Sequence, residues 1–165
     1  MGNNDPFIPY LATVRSVVDL TPDVKLFTVD FNDPAVQESF TYRPGQFAFV
    51  SVFGMGEVPF GITSVAQRNE GLQFAVRRVG TVTNALHEVR EGDTVGVRGP
   101  FGNSFPLEDY EGKNIFIIGG GIGMAPLRPV INTVLDRRDS YADLLIINGA
   151  RTPQDLVFAP EFDIW

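Results

Sequence analysis

The residues of this chain best suited to chemistry lie in IFIIGGGIGMAPLRPV, positions 115 to 130. An apolar run enters consecutive glycines, and Pro126 then falls where the first turn of a helix would begin. Glycines let backbone N–H groups come close to a phosphate, and a helix N-terminus adds unpaired donors and a partial positive charge. A pyrophosphate fits such a turn. The spacing GGGxGxAP is not the GxGxxG of the usual dinucleotide fingerprint, and a turn that merely packs tightly would carry the same glycines. Other reactive types are scarce. With one histidine, His87, and no cysteine, the chain offers no disulfide, no His-rich metal set and no thiolates for an iron–sulfur cluster. His87 precedes the EGD turn, where a solvent-exposed side chain is expected. No general acid, base, nucleophile or metal ligand is assigned.

Length and composition bound the setting. A chain of 165 residues is one ordinary domain, or a small domain with part of another. Apolar content of 44% with 20% charged residues is normal for a soluble globular protein. The net charge of -7 argues against a binder of phosphate backbones, which needs a clustered basic face, so no nucleic acid partner is expected. No run approaches the ~20 apolar residues of a membrane span. MGNNDPFIPY also lacks the parts of a signal peptide, so the expected location is the cytoplasm.

Two unlike grammars divide the elements that must position the glycines. From about Leu11 to Arg98 the pattern is short strands: LATVRSVVDL, VKLFTVDF, QFAFVSVF, GITSV, LQFAVRRV and TVGVRG. In VKLFTVDF the residues at Val24, Leu26 and onward alternate faces. Six strands with Gly, Pro, Asn or Asp between them predict a closed antiparallel Greek-key barrel, because closure removes exposed edges. From Asn114 onward, IFIIGGG reads as a strand buried on both faces. Leu127, Val130, Ile131, Val134 and Leu135 then fall at helical spacing, and DLLIING, residues 143 to 149, is read as a second buried strand. The expected architecture is a barrel over residues 1–110 and an incomplete α/β (βαβ) dinucleotide-binding part over 111–165.

That order, with YRPGQF at 42 to 47, VPFGITS at 58 to 64, FAVRRVGTVTNAL at 74 to 86, and GPFG at 99 to 102 followed by GGGIGMAPL, resembles the ferredoxin–NADP reductase superfamily. Its members pair an N-terminal flavin barrel with a C-terminal nicotinamide-nucleotide domain. PFGITS and GARTPQDLVF look most similar to electron-transfer subunits of anaerobic enzymes. These are the gamma subunit of sulfhydrogenases, the B subunit of anaerobic sulfite reductase and the dihydroorotate dehydrogenase electron-transfer subunit.

The resemblance assigns roles by motif. Pro59, Phe60, Gly61, Ile62, Thr63 and Ser64 would line the flavin ring and ribityl chain, with Phe60 on the ring and Thr63 or Ser64 bonding it near N5. The common form is Arg-x-Tyr-Ser, and here Val58, Phe60 and Gly61 stand at its three defined places. Arg77 is the nearest substitute for the absent phosphate-pairing guanidinium. Gly80, Thr81 and Val82 would offer backbone N–H groups to the flavin pyrophosphate, and Thr83 a hydroxyl. That second cradle favours FAD over FMN. Gly120, Gly121, Ile122, Gly123, Met124 and Ala125 would hold the NAD(P) pyrophosphate. Arg151 either meets a 2′-phosphate or is an ordinary surface arginine, so NAD and NADP both stay open.

The implied function is a flavoprotein electron-transfer subunit of an oxidoreductase, passing electrons between NAD(P)H and an iron–sulfur partner through FAD. The alternatives are a cofactor-free docking module of a redox complex and an NADH:flavin reductase of the oxygenase kind. One βαβ unit leaves an edge strand and an apolar face uncovered, with Phe158, Phe162 and Trp165 awaiting a partner. A fragment of a longer chain, or a chain completed by another, is therefore expected. In the resembling subunits a [2Fe–2S] segment with four cysteines follows.

Overall fold

The computed structural model of the protein describes residues 7–165; the first six positions of the N-terminal reading lie outside the described residues. Six strands form the first sheet: β1 (Tyr10–Thr21), β2 (Val24–Phe31), β3 (Phe47–Val52), β4 (Gly56–Gly61), β5 (Leu72–Arg77) and β6 (Thr94–Phe101). All neighbours are antiparallel, in the order β4-β3-β6-β1-β2-β5. The alternating residues Val14, Val29, Val50, Phe74, Val76, Val95 and Val97 turn inward and form the barrel core. Two helices accompany this sheet: α1 (Pro34–Ser39), capped by the Asp33 carboxylate on the Ala35 N–H, and α2 (Thr81–Glu88).

The barrel is not closed by a ladder, in contrast to the expectation. Its edge strands β4 and β5 meet only at the isolated bridge Ile62↔Phe74, beside which the Thr63 N–H donates to Gln73 O at 2.9 Å. The fourth strand ends at Gly61, so most of the GITSV stretch is the crossing point and not the strand itself. Beyond that crossing no ladder joins the two edges.

The second sheet is the parallel pair β7 (Ile115–Gly120) and β8 (Leu144–Gly149), registered Ile115↔Leu144 through Gly120↔Gly149. Between them run a 3₁₀ segment, Gly121–Leu127, and helix α3 (Arg128–Asp136). The α-helix thus begins two residues later than Pro126 suggests, with Pro129 in its first turn. Val130, Ile131 and Val134 are buried as their spacing predicts. IFIIGGG is covered on one face only: Ile117 is buried, whereas Phe116 is 66% and Ile118 70% exposed, flanked by Leu145 and Ile147.

β2 and β5 serve two cores. Phe27 and Val29 face the barrel, while Val24, Leu26 and Ala75 join Ile117, Met124, Ile131, Val134 and Phe158 in a second core. Alternation therefore gives both faces of these strands an apolar partner. His87 is the clearest correction. It is 7% exposed, its ring Nε2 donates to Val76 O at 2.9 Å, and it lies edge-on to Phe27. α2 presses its inner face on the barrel end, which a local reading of HEVREGD does not reveal.

Candidate flavin and nucleotide cleft

Helix α2 packs against both β4 and β5, the two edges that no ladder joins. A Cβ on Gly56, at the start of β4, would lie 3.4 Å from Val82 Cγ2, so the helix start sits beside that edge. Gly80 is the N-cap, in extended conformation, and the place of its absent Cβ is open space. The N–H groups of Thr81, Val82 and Thr83 are the first of the helix and have no partner within it. The Thr83 hydroxyl, by contrast, is committed. It accepts the N–H of Val79 at 2.9 Å and of Gly80 at 2.8 Å and donates to Gly80 O at 3.0 Å. It shapes the cradle and is not a donor to an anion.

The 3₁₀ segment that carries the second cradle packs against β5. Along β5, Gln73, Ala75 and Arg77 share the face turned to the nucleotide-side sheet. Arg77 Nη2 lies 3.5 Å from where a Gly121 Cβ would be, and its Nε is 3.1 Å from the Asp23 carboxylate. The expected substitute for the flavin-side arginine therefore lies against the glycine turn, held by an acid of the β1–β2 turn. Gly80 follows Arg77 by three residues, so at most about 10 Å of extended chain separates the Arg77 backbone from the start of α2. Gly121 adopts φ +51°, a left-handed conformation that glycine tolerates. Gly120 and Gly123 are exposed with no atom crowding them, apart from Gly149 O at 3.8 Å from a Gly120 Cβ.

Other predicted residues take different places. Phe60 points inward and packs 6.4 Å from the Phe74 ring, a core role. Pro59 is exposed on the opposite face of β4. Gly61 has a clear reason to lack a side chain, since a Cβ there would meet Pro126 Cβ at 3.0 Å. The 3₁₀ segment rests on that strand, which accounts for the absence of the serine of the common motif. Ile62 is in the barrel core. Thr63 is fully buried, and its hydroxyl has no protein partner.

Ser64 is committed elsewhere: its Oγ accepts the Gln73 N–H at 3.0 Å and bonds the Tyr42 hydroxyl at 2.7 Å. Burial pushes the Tyr42 phenol above its ordinary value of 10.0; the Ser64 bond opposes that rise and Glu70 adds to it. A raised pKa means that the stability from neutral Tyr42 is complete below pH 10.0 and is lost as pH climbs through the folded value. Tyr42→Phe is expected to flatten the alkaline fall in urea midpoint above about pH 10, leaving only the contribution of the similarly raised Tyr141.

Met124 and Ala125 are core residues at 0% and 4% exposure, so only their backbone is available to a ligand. Ile122 packs at the edge of the same core. Sequence reasoning missed Gly119, where a Cβ would meet Met124 Cε at 2.9 Å and Leu127 Cδ1 at 3.1 Å. Asp23 and Arg128 were also missed. Arg151 is 83% exposed and within 3.7 Å of Asp155, at the carboxyl end of β8. An open cleft of about 360 Å³ lies elsewhere, between β8 and Phe162 and Trp165. Among the described residues no cluster could hold a metal ion, and no helix is long and apolar enough to cross a membrane.

Known proteins share this arrangement. Residues 117–165 match the family described as oxidoreductase NAD-binding domain. The chain is 40% identical over 163 residues to sulfhydrogenase 1 subunit gamma of Pyrococcus furiosus, covering 99% of this chain and 56% of that protein. It is 36% identical over 156 residues to “Probable dihydroorotate dehydrogenase B (NAD(+)), electron transfer subunit” of Methanocaldococcus jannaschii, covering 94% and 53%. The cytochrome P450 reductase GcoB of Amycolatopsis superposes with TM-score 0.79 at 29% identity, covering 94% of this chain and 47% of that one. The chain spans about half the length of the curated relatives it matches. Its residues 11–105 match the family described as oxidoreductase FAD-binding domain, and the chain belongs to that family.

Proposed function

We propose that this chain is the FAD- and NAD(P)H-binding part of an electron-transfer subunit of an oxidoreductase, exchanging electrons between a nicotinamide nucleotide and an iron–sulfur partner. The observation that carries this reading is that the α2 start and the glycine turn both belong to elements packed on β5, with Arg77 of that strand beside Gly121. The division into a flavin barrel over residues 1–110 and a nucleotide part over 111–165 belongs to the same proposal, as does a cytoplasmic setting. The names of the relatives, a sulfhydrogenase gamma subunit and an electron transfer subunit, support it.

The residues present fit the two groups. The open N–H groups of Thr81, Val82 and Thr83 suit the flavin pyrophosphate, and Pro59 with Gly61 lines the wall beside its ring. Gly120 to Gly123 suit the nucleotide pyrophosphate, with Arg77 supplying the positive charge near it. Asp23 orients that guanidinium. The buried Thr63 hydroxyl at the β4 exit has no hydrogen-bond partner among the described residues. The flavin supplies the switch from two-electron to one-electron chemistry, and the protein supplies placement and electrostatics. A [2Fe–2S] centre would belong to a partner or to further sequence, since this chain has no cysteine.

The test is a visible absorbance spectrum of the purified protein, with any released cofactor identified by mass spectrometry. FAD near one per chain, bleached anaerobically by NADH or NADPH, is the expected result. FMN with rapid air oxidation would favour a reductase of the oxygenase kind. A colourless protein that takes up no added FAD would leave the docking module.

A further inference from the structure

Helix α3 sends polar groups toward the barrel at Arg128, Asn132 and Asp136, one per turn along one face. Asp136 accepts from Arg68 Nε at 2.8 Å and Nη2 at 2.6 Å, and Arg68 Nη2 also reaches Asn132 O at 3.4 Å. Arg128 is the centre of this seam, with a side chain only 9% exposed. Its Nη1 donates to Thr63 O at 2.9 Å and to Gln73 Oε1 at 2.7 Å. Its Nε donates to the Glu161 carboxylate at 2.9 Å, and the guanidinium lies 5.1 Å over the Phe158 ring. Glu70 stands between the two arginines, 4.0 Å from Arg128 and 3.6 Å from Arg68.

One planar fork thus grips separate pieces of the cleft. Thr63 follows Gly61 by two residues, Gln73 precedes Arg77 on the same face of β5, and Arg128 directly follows the 3₁₀ segment that opens at Gly121. The guanidinium ties the exit of β4 and the strand of Arg77 to the helix start that follows the glycine turn. An ammonium on a flexible stem cannot hold those directions at once.

We propose that Arg128 is a positioning residue for hydride exchange between the nicotinamide and the flavin, setting the separation of the two cradles without touching either ligand. This rests on the proposed function. In the exchange, the C4–H bond of the dihydronicotinamide breaks and the hydride, with both electrons, bonds to the flavin. The nucleotide is left oxidised and the flavin reduced, with no other reactant. Such a transfer needs reacting atoms about 3–3.5 Å apart, and a misplacement of about 1 Å can cost on the order of a hundredfold.

The experiment compares Arg128→Lys and Gln73→Leu with the unaltered full chain, both variants retaining Glu161. Flavin content, the limiting rate of anaerobic flavin reduction and its half-saturating nucleotide concentration are measured on FAD-loaded protein. Amide hydrogen exchange over residues 119–127 is measured on cofactor-free protein. Arg128→Lys is expected to lower the limiting rate by about tenfold at unchanged flavin content, with the half-saturating concentration moving less than the rate. Gln73→Leu should act in the same direction more weakly, and both should speed exchange in the glycine turn. Unchanged rates per bound flavin, with only the thermal midpoint lowered, would make Arg128 a purely structural residue and overturn the proposal alone. Unaltered protein that neither nucleotide reduces would overturn the functional reading and the hydride role together.

Discussion

Replacing Thr81 by proline is expected to weaken flavin binding by about tenfold to a hundredfold while leaving the fold intact. Thr81 is the first residue of α2, where proline is favoured because that N–H has no partner in the helix. Gly80 before it is already extended, at φ -164° and ψ -176°, a conformation broadly compatible with a following proline. The substitution therefore removes one donor of the cradle and little else. A hydrogen bond to a charged group contributes about 1.5–3 kcal/mol, which sets the size of the loss. Thr81→Ala, which keeps the N–H and removes the hydroxyl, should bind flavin nearly as the parent does. Fluorescence titration of apoprotein gives the affinities, and thermal unfolding should show Thr81→Pro no less stable. Equal affinities in all three proteins would rule out the α2 terminus as the flavin phosphate site.

Arg128→Met should cost about 3–5 kcal/mol of stability, the usual consequence of removing one partner from a buried ion pair. The loss arises less from the attraction forfeited than from what stays behind. Glu161, Gln73 Oε1 and Thr63 O would keep their places with no donor. Arg78→Met is the control, because Arg78 and Glu88 pair at 3.4 Å with side chains 52% and 75% exposed. Exposed pairs of that kind contribute about 0–1 kcal/mol. Urea unfolding of both variants measures the contrast. Similar losses in the two would mean that burial is not what gives Arg128 its weight. The hydride experiment uses the milder Arg128→Lys and Gln73→Leu for this reason.

What was legible in the sequence followed from local chemistry. Alternation in VKLFTVDF marked two faces, and the structure finds an apolar core on each. The glycines after IFII marked a backbone turn, because positive φ at Gly121 and the close packing at Gly119 demand residues without side chains. What stayed hidden depends on partners distant in the chain. Arg128 reads as a charge on a helix, yet it bonds residues 33 and 65 positions away. His87 and Ser64 look like surface or site residues until α2 packs on the barrel and Tyr42, from the segment before β3, closes over Ser64. Barrel closure failed as an expectation for a similar reason: six strands do not fix whether the first and last edges meet along their length or at one bridge.

The sharing of β2 and β5 between two cores has a consequence for how this chain melts. Val24, Leu26 and Ala75 belong to barrel strands, yet their burial depends on Met124, Ile131 and Phe158 from the α/β part. Lifting the α/β part away would expose apolar surface on the barrel at about 25 cal/mol per Å², and the polar seam of α3 would open with it. The two parts should unfold as one cooperative unit, so a barrel cut free near residue 110 would be sticky and prone to self-association.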